Sequence, residues 1–163
     1  MGCGKTTIGK QLAKTLQYTF IDTDKEIEKN ENKRIPTLFE EYGESYFREC
    51  ETQLCKDLID YKKTIISTGG GILQNPINCA ALQKVGTIVY LHLPFEKAYL
   101  RLEKSHQKRP LFMNNSKDKL HQIYTQRVPI YRKMAHLTIQ SHTMKFHDIT
   151  PAIIQKLSQK TSK

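Results

Sequence analysis

The sequence predicts an α/β fold in which helices cover both faces of a short parallel sheet. Strand-like and helix-like segments alternate along nearly all of the 163 residues, which is typical of parallel sheets. The chain opens on part of a phosphate-binding loop, and further polar clusters follow the strand segments. Because ligands of such sheets bind at the carboxyl ends of the strands, the same observations predict a binding site there.

The phosphate-binding loop is the run Gly2-Cys3-Gly4-Lys5-Thr6-Thr7. Its glycines allow backbone N–H groups to approach the phosphates of a nucleotide closely. Lys5 would contact the β- and γ-phosphates, and the Thr6 hydroxyl would be a ligand of Mg²⁺. The complete motif has a further glycine, separated from Gly4 by four residues, and that position would precede Met1.

Periodicity and breaker residues place the elements of the first half. Apolar residues at helical spacing follow the loop, so its last residues should open a helix whose N-terminus adds to the anion site. Gly43 divides a short helix from a longer one with an apolar stripe. The predicted order is the helix after the loop, a strand over 19–21, a helix to about residue 30, and helices over 36–42 and 44–60.

In the second half, three strand segments alternate with helices. Residues 87–91 form the clearest strand, since the run is continuous and β-branched like a buried parallel strand. Gly69-Gly70-Gly71 ends the strand before it, and Pro151 is placed in the first turn of the last helix, where proline is tolerated. The predicted strands are 64–67, 87–91 and 137–139, and the predicted helices are 95–104, 118–134 and 151–158.

Length and composition indicate a single domain over residues 1–163. No apolar run approaches the roughly 20 residues of a membrane span, so a cytoplasmic protein without a membrane partner is expected. The four cysteines show no metal-binding spacing and are expected to be reduced thiols. A net charge of +10 permits nucleic acid as a partner, but it equally suits a nucleotide and an acidic small substrate.

Two polar clusters follow predicted strands. Asp22 and Asp24 lie in a segment expected to be extended, so that both carboxylates point to one side. One could support Mg²⁺ through water and the other could meet a substrate hydroxyl, although a helix N-cap at Thr23 or Asp24 with an acidic first turn would also explain the cluster. Gly69-Gly70-Gly71 suits the close approach of a ligand to the backbone, or a plain tight turn.

Three arginines lie in otherwise lysine-rich surroundings: Arg48, Arg109 and Arg127. The planar guanidinium binds a carboxylate or phosphate through two parallel hydrogen bonds, which lysine cannot do. Taken singly, each of the three is better explained as a surface residue.

Taken together, the motifs resemble those of the shikimate kinases. The phosphate loop occurs in many NTPases, but the aspartate pair combined with the arginine and the triple glycine is much more specific. The resemblance covers nearly the whole chain, and the motifs occur in the family's order and at its spacing. They are Gly2 to Gly9, Asp22-Thr23-Asp24, Phe47-Arg48-Glu49 with Glu51, Ser67 to Gly71, Lys108-Arg109-Pro110-Leu111, and Arg127 before Pro129-Ile130-Tyr131.

The resemblance implies a three-layer α/β/α P-loop kinase fold with a mobile lid over roughly residues 106–117, acting as a monomer. It implies ATP-dependent phosphorylation of the 3-hydroxyl of shikimate, on the route to chorismate and the aromatic amino acids. Shikimate and ATP would be the partners, with no nucleic acid, and Mg²⁺ would be the cofactor.

The resemblance also implies roles for single residues on the nucleotide side. Thr6 would bind Mg²⁺, and Asp22 would support the metal through water. Arg109 would close over the phosphates with the lid, while Arg101 and Pro151 would stack on the adenine. The ATP phosphates would be held by Gly2, Cys3, Gly4, Lys5, Thr6 and Thr7.

On the acceptor side, the resemblance implies that Asp24 binds the shikimate hydroxyls and could accept the proton of the attacking one. Arg48 and Arg127 would clamp the substrate carboxylate. The backbone of Gly69, Gly70 and Gly71 would lie beside it. Lys5, Asp24 and Arg109 would thus be the catalytic groups.

Two other kinds of function stay open. A gluconate kinase-like enzyme or a nucleoside monophosphate kinase would keep the phosphate loop and lid, but Asp24, Arg48 and the triple glycine argue against that acceptor site. A nucleotide- or RNA-binding protein without kinase activity would fit the positive charge, but no RNA-binding motif accompanies it.

The family has a hydrophobic strand before its phosphate loop, central in the sheet, and this sequence has none before Gly2. A buried strand contributes a large part of a domain's stability. We therefore expect the true start codon to lie about ten residues upstream. A chain that begins at Met1 is expected to fold poorly and to bind ATP weakly.

Overall fold

The computed structural model of the chain describes residues 2–104, 112 and 114–161, without the side chains of residues 160 and 161. Strands and helices alternate, as predicted. In chain order the described elements are α1 (Lys5–Leu16), β1 (Thr19–Asp22), α2 (Thr23–Asn30), α3 (Ile35–Asp57), β2 (Thr64–Ser67), α4 (Pro76–Val85), β3 (Val89–His92), α5 (Phe95–Glu103), α6 (Lys117–Met134), β4 (Leu137–Gln140) and α7 (Phe146–Thr161).

The strands form two parallel pairs. β1 pairs with β2 in the register Thr19 to Thr64, and β3 pairs with β4 in the register Val89 to Leu137. Parallel pairing requires a crossover between the strands, and helices supply it in both pairs. The predicted parallel α/β class is therefore confirmed.

The chain divides into two compact units, each of which contains one strand pair. The triple-glycine unit comprises Gly9–Gly86 and contains β1 and β2. The phosphate-loop unit comprises Met1–Ile8 and Thr87–Lys163 and contains β3 and β4. That residues 1–163 act as one domain stays a prediction.

In the triple-glycine unit, α3 packs on α2 and α4 and contributes most to the buried core. Leu38 and Cys55 of α3 have no exposed surface, and neither has Leu58, the residue directly after the helix. Burial of a large apolar side chain contributes roughly 1.5–3 kcal/mol. Gly43 interrupts the helix with φ 80° and ψ 174°, in the left-handed half of φ space that favours glycine. The predicted break between two helices at Gly43 is thus confirmed.

Helix α4 was not predicted from the sequence. Its start has the proper signals, since the Asn75 side chain accepts a 2.9 Å hydrogen bond from Ile77 N, and Pro76 is the first helical residue. Asparagine caps and first-turn prolines are typical of helix starts. The apolar periodicity of α4 is weak, because a polar residue, Asn78, occupies a position as buried as that of Leu82. The start signals alone therefore did not predict a helix.

In the phosphate-loop unit, the last helix begins earlier than predicted. α7 starts at Phe146, so Pro151 is its sixth residue and lies inside the helix rather than in its first turn. A proline there lacks the N–H of an interior helical residue. The helix continues through it because Ile149 and Ile153 are 3% and 1% exposed and anchor both sides of the proline.

None of the helices in the described part of the chain is long and apolar enough to cross a membrane.

Candidate active site

The phosphate loop needs its two glycines. Gly2 and Gly4 have φ angles of 60° and 81°, which L side chains rarely adopt. A Cβ on Gly2 would also lie 3.0 Å from the carbonyl oxygen of Ala98 and 3.4 Å from Leu102 Cγ. The loop therefore packs against α5 at a distance that only glycine allows.

The loop runs directly into α1, as predicted. Lys5 is the first helical residue, and Ile8 N donates the first bond of the helix to Gly4 O at 2.9 Å. The first turn contains no acidic residue, so the positive end of the helix dipole is not neutralised by a carboxylate of its own. Thr6 and Thr7 lie in this turn, where a helix N-terminus favours an anion.

Cys3 is a buried part of the loop, only 7% exposed. Burial acts to raise the pKa of its thiol, but the Lys5 charge and the Lys5 backbone N–H act in the opposite direction and leave the pKa below its ordinary value. The same groups that favour a thiolate would favour the oxygens of a phosphate. Cys3 is thus a small buried residue in an anion-stabilising environment.

In the triple-glycine unit, Thr23 connects the aspartate pair to the glycine loop. Its side chain is fully buried, and its Oγ1 accepts a 2.8 Å hydrogen bond from Gly69 N. A Cβ on Gly69 would collide with Asp24 Oδ1 and would lie 3.4 Å from Glu51 Oε1. The structure therefore brings the carboxylates of Asp24 and Glu51 to the same glycine.

The predicted conformation of the aspartate pair is wrong, although Asp24 does reach the glycine loop. Asp22 is the last residue of β1, with φ −111° and ψ 116°, whereas Asp24 lies in the first turn of α2. The helix starts immediately after the strand, so the two carboxylates do not follow one extended segment. The alternative, an N-cap at Thr23 or Asp24 with an acidic first turn, is half right. The N-cap residue is Asp22, which makes no side-chain cap bond, but Asp24 and Glu26 do make the first turn acidic.

Arg48 is held between two carboxylates on α3. Its Nη1 donates to Glu51 Oε2 at 2.7 Å, and its Nε and Nη2 both donate to Glu44 Oε1, at 3.1 and 2.6 Å. Burial acts to lower the pKa of the guanidinium, but these hydrogen bonds outweigh burial and raise the pKa above its usual range. Arg48 therefore stays charged and has a fixed orientation.

The glycine loop also makes room for this arginine. A Cβ on Gly71 would lie 2.6 Å from Arg48 Nη1 and 3.2 Å from its Cζ, so a larger residue there would displace the guanidinium. The cluster of Asp24, Arg48, Glu51, Gly69 and Gly71, here called the acceptor cluster, thus combines two carboxylates with one guanidinium on a glycine loop. Such a set suits a ligand that has hydroxyl groups and a carboxylate.

The remaining predicted site residues lie in the phosphate-loop unit or outside the described residues. Arg127 is buried in α6 at 9% exposure, whereas Arg101 in α5 and Pro151 in α7 are exposed. Arg109 lies outside the described residues, together with the rest of residues 106–111 and residue 113 of the predicted lid region. Of the described lid residues, Phe112 contacts Tyr99 with ring centroids 5.4 Å apart.

The sequence predicted no functional role for Thr23 or Glu44. Their positions in the sequence could have indicated a role for each. Thr23 lies between the two aspartates, and Glu44 is four residues before Arg48, which is the spacing of a helical ion pair. Glu51 entered only as part of a motif. The described residues contain no group of three or more His, Cys, Asp or Glu side chains that could hold a metal ion.

Comparisons with known proteins point to one family. A sequence model described as shikimate kinase matches residues 1–158. Among curated relatives, a shikimate kinase of Nitrosomonas europaea is 40% identical over 162 residues, which cover 98% of this chain and 75% of that protein.

Solved structures show the same likeness. A shikimate kinase from Acinetobacter baumannii, in complex with shikimate, is 35% identical with a TM-score of 0.90, over 100% of this chain and 91% of that chain. A shikimate kinase from Bacteroides thetaiotaomicron is 30% identical with a TM-score of 0.85, over 100% and 94%. These neighbours confirm the predicted P-loop kinase fold.

Proposed function

This chain belongs to the shikimate kinase family, and on that premise we propose that it transfers the γ-phosphoryl group of ATP to the 3-hydroxyl of shikimate. The products are shikimate 3-phosphate and ADP, in the synthesis of chorismate and the aromatic amino acids. The observation that carries the proposal is the acceptor cluster, in which Gly71 lies against Arg48 and Gly69 against Asp24.

The acceptor cluster matches the groups of shikimate, an anion with three hydroxyl groups. Arg48, oriented by Glu51, binds the carboxylate, and Arg127 adds a second guanidinium. Asp24 accepts hydrogen bonds from the hydroxyls and takes the proton of the attacking one. The backbone of Gly69, Gly70 and Gly71 lets the substrate approach without a side chain in the way.

The phosphate loop binds the donor. Gly2 to Thr7 surround the β- and γ-phosphates, and Lys5 adds positive charge there. Phosphoryl transfer depends on positioning and on electrostatic stabilisation of the transferred group, and a loop at a helix N-terminus supplies both. Arg109 would add charge from the lid and exclude water, so that the phosphoryl group is not lost to hydrolysis.

We propose Mg²⁺ as the cofactor, held by the Thr6 hydroxyl and supported by Asp22. Both are oxygen donors, as Mg²⁺ prefers, and this ion usually takes one or two protein ligands together with substrate phosphates and waters. When bound, Mg²⁺ would neutralise charge on the phosphates.

Further properties follow from the family resemblance and stay proposals. Arg101 and Pro151 contact the adenine, the protein acts as a monomer in the cytoplasm, and its partners are the two small substrates rather than nucleic acid or membrane. On this proposal, some of the arginines and lysines bind the anionic substrates, and the others are solvated surface residues.

An acceptor panel tests the proposal. ADP release from ATP is measured with shikimate, gluconate and nucleoside monophosphates in parallel, with and without Mg²⁺. We expect release with shikimate alone and only when Mg²⁺ is present. Turnover of gluconate or a nucleoside monophosphate in place of shikimate would refute the proposal, as would salt-sensitive RNA binding without shikimate turnover.

A further inference from the structure

A buried polar residue of α4 contacts the segment that follows the glycine loop. Asn78 is 1% exposed, and its Nδ2 donates a 3.0 Å hydrogen bond to the carbonyl oxygen of Ile72, the residue after Gly71. Because a carbonyl oxygen can only accept, the side-chain atom that faces it must be the amide nitrogen. Asn78 therefore ties α4 to the end of the glycine loop by a buried bond.

Folding stability alone does not explain an asparagine at this position. Oδ1 of Asn78 is buried and has no hydrogen-bond partner among the residues that the structure describes. Burial of an unpaired polar atom is unfavourable, and leucine, which branches at the same carbon, would avoid that cost. What asparagine offers over leucine is the directional bond to Ile72, and buried polar groups can be retained because they fix one arrangement of the chain.

The backbone at the end of the glycine loop is held by a series of such bonds. Gly71 O accepts from Gln74 N at 2.9 Å, Ile72 O accepts from Asn78 Nδ2 at 3.0 Å, and Leu73 O accepts from Cys79 Sγ at 3.1 Å. Two of the three donors are side chains of α4. Since glycine has little conformational preference of its own, the position of the loop depends on bonds of this kind.

The start of α4 is also bonded to the turn of α3 that contains Arg48. Asn75 Nδ2 donates to Thr52 Oγ1 at 3.2 Å, and Thr52 Oγ1 donates to Arg48 O at 3.0 Å. Helix α4 is thus connected to two parts of the acceptor cluster. It reaches the glycine loop through Asn78 and the arginine through Asn75.

We propose that Asn78 is a positioning residue of the acceptor site, which holds Gly71 at a fixed distance from Arg48. The substrate carboxylate then meets the guanidinium and the loop backbone together, and this role rests on the proposed function for the identity of the substrate. Because Asn78 is buried, it acts through the loop rather than by contact with the substrate. A site that is ordered in advance loses less freedom when its ligand binds. Loss of the bond should therefore weaken binding of shikimate but not of ATP.

Steady-state kinetics and urea unfolding of variants test this role. Asn78→Leu keeps the branched shape but cannot donate to Ile72 O, and we expect it to raise KM for shikimate roughly 3- to 10-fold with KM for ATP unchanged. Thr52→Val removes the hydroxyl between α4 and Arg48 and should act in the same direction. Leu82→Ala is the matched control, because Leu82 is a buried apolar residue of the same helix, 6% exposed. It should lower the urea midpoint more than Asn78→Leu does and leave both KM values unchanged.

Hydrogen exchange of the free protein gives a second readout that does not depend on catalysis. Peptides over residues 68–74 should exchange faster in Asn78→Leu than in the unchanged protein, whereas peptides of β1 should exchange at the same rate in both. Unchanged loop exchange in Asn78→Leu would overturn the inference.

The kinetic outcomes decide it independently. An unchanged KM for shikimate in Asn78→Leu, equal rises in KM for shikimate and ATP, or the same rise in Leu82→Ala would each overturn the role of Asn78. If Asn78→Leu does not fold, Thr52→Val is compared with Leu82→Ala in the same way. Faster loop exchange in Asn78→Leu, together with no shikimate turnover by the unchanged protein, would defeat the proposed function alone.

Discussion

Arg48 and Glu51 form an ion pair in which the two side chains are unequally buried. Nη1 of Arg48 donates to Oε2 of Glu51 at 2.7 Å, and the side chain of Glu51 is 2% exposed whereas that of Arg48 is 31% exposed. The carboxylate is thus a fixed internal anchor, and the guanidinium extends from it toward the glycine loop. An arginine held in this way binds a carboxylate without first losing side-chain freedom.

Replacement of Glu51 by Gln tests this anchoring. A hydrogen bond to a charged group contributes about 1.5–3 kcal/mol, so Glu51→Gln should raise KM for shikimate roughly tenfold while KM for ATP stays the same. Glu44→Gln is the matched control, since Glu44 is 64% exposed and exposed pairs contribute less than about 1 kcal/mol. Steady-state kinetics that show equal effects of the two variants would contradict the anchoring role.

Thr23 gives a separate test of the glycine loop. Thr23→Val keeps the shape of the side chain but removes the acceptor of Gly69 N, so that this part-buried N–H loses its hydrogen bond. We expect a loss of about 1–3 kcal/mol in the free energy of unfolding, measured in urea, and a higher KM for shikimate. Thr23→Ser keeps the hydroxyl, so its free energy of unfolding and its KM for shikimate should change less than those of Thr23→Val. Larger changes in Thr23→Ser than in Thr23→Val would disprove the role of this bond.

Gly69 should tolerate no side chain. The Cβ of alanine at this position would displace Asp24, whose Oδ1 occupies that space, and small displacements of reacting groups lower rates by about 100-fold. We expect Gly69→Ala to reduce kcat to that extent. Gly86→Ala is the control because nothing lies within 4 Å of its Cβ position. An active Gly69→Ala protein would show that Asp24 is not positioned by this contact.

Arg127 should recognise the carboxylate of shikimate through two parallel hydrogen bonds, which lysine cannot form. Arg127→Lys is therefore expected to weaken shikimate binding at least tenfold, with little effect on ATP binding. Arg132→Lys, at an exposed position of the same helix α6, controls for general effects on the helix. Similar losses of affinity for shikimate and ATP would argue against this role of Arg127.

The sequence predicted the fold class well because alternation and breaker residues are local signals. The break at Gly43 and the strand over 64–67 agree with the structure for this reason. Helix α4 was missed and the start of α7 was placed five residues too late, since tertiary burial decides both. Ile149 and Ile153 hold α7 around Pro151, and no local rule weighs that burial against the cost of an interior proline.

The residue types of the site could be predicted, but its long-range contacts could not. Asp24 and Arg48 were identified from motifs, and Glu51 follows Arg48 at the spacing of a helical ion pair. The bond from Gly69 N to Thr23, in contrast, joins groups 46 residues apart. Such pairings depend on how strands and helices pack, which composition and spacing do not specify.

Phosphorylation of shikimate at its 3-hydroxyl can be observed directly in the product. The protein is incubated with ATP, Mg²⁺ and shikimate, and the product is identified by phosphorus and proton NMR. We expect one phosphomonoester whose phosphorus couples to the proton at carbon 3, formed in equal amount to ADP. ADP released without a phosphorylated shikimate, or a phosphate on another hydroxyl, would rule out this activity.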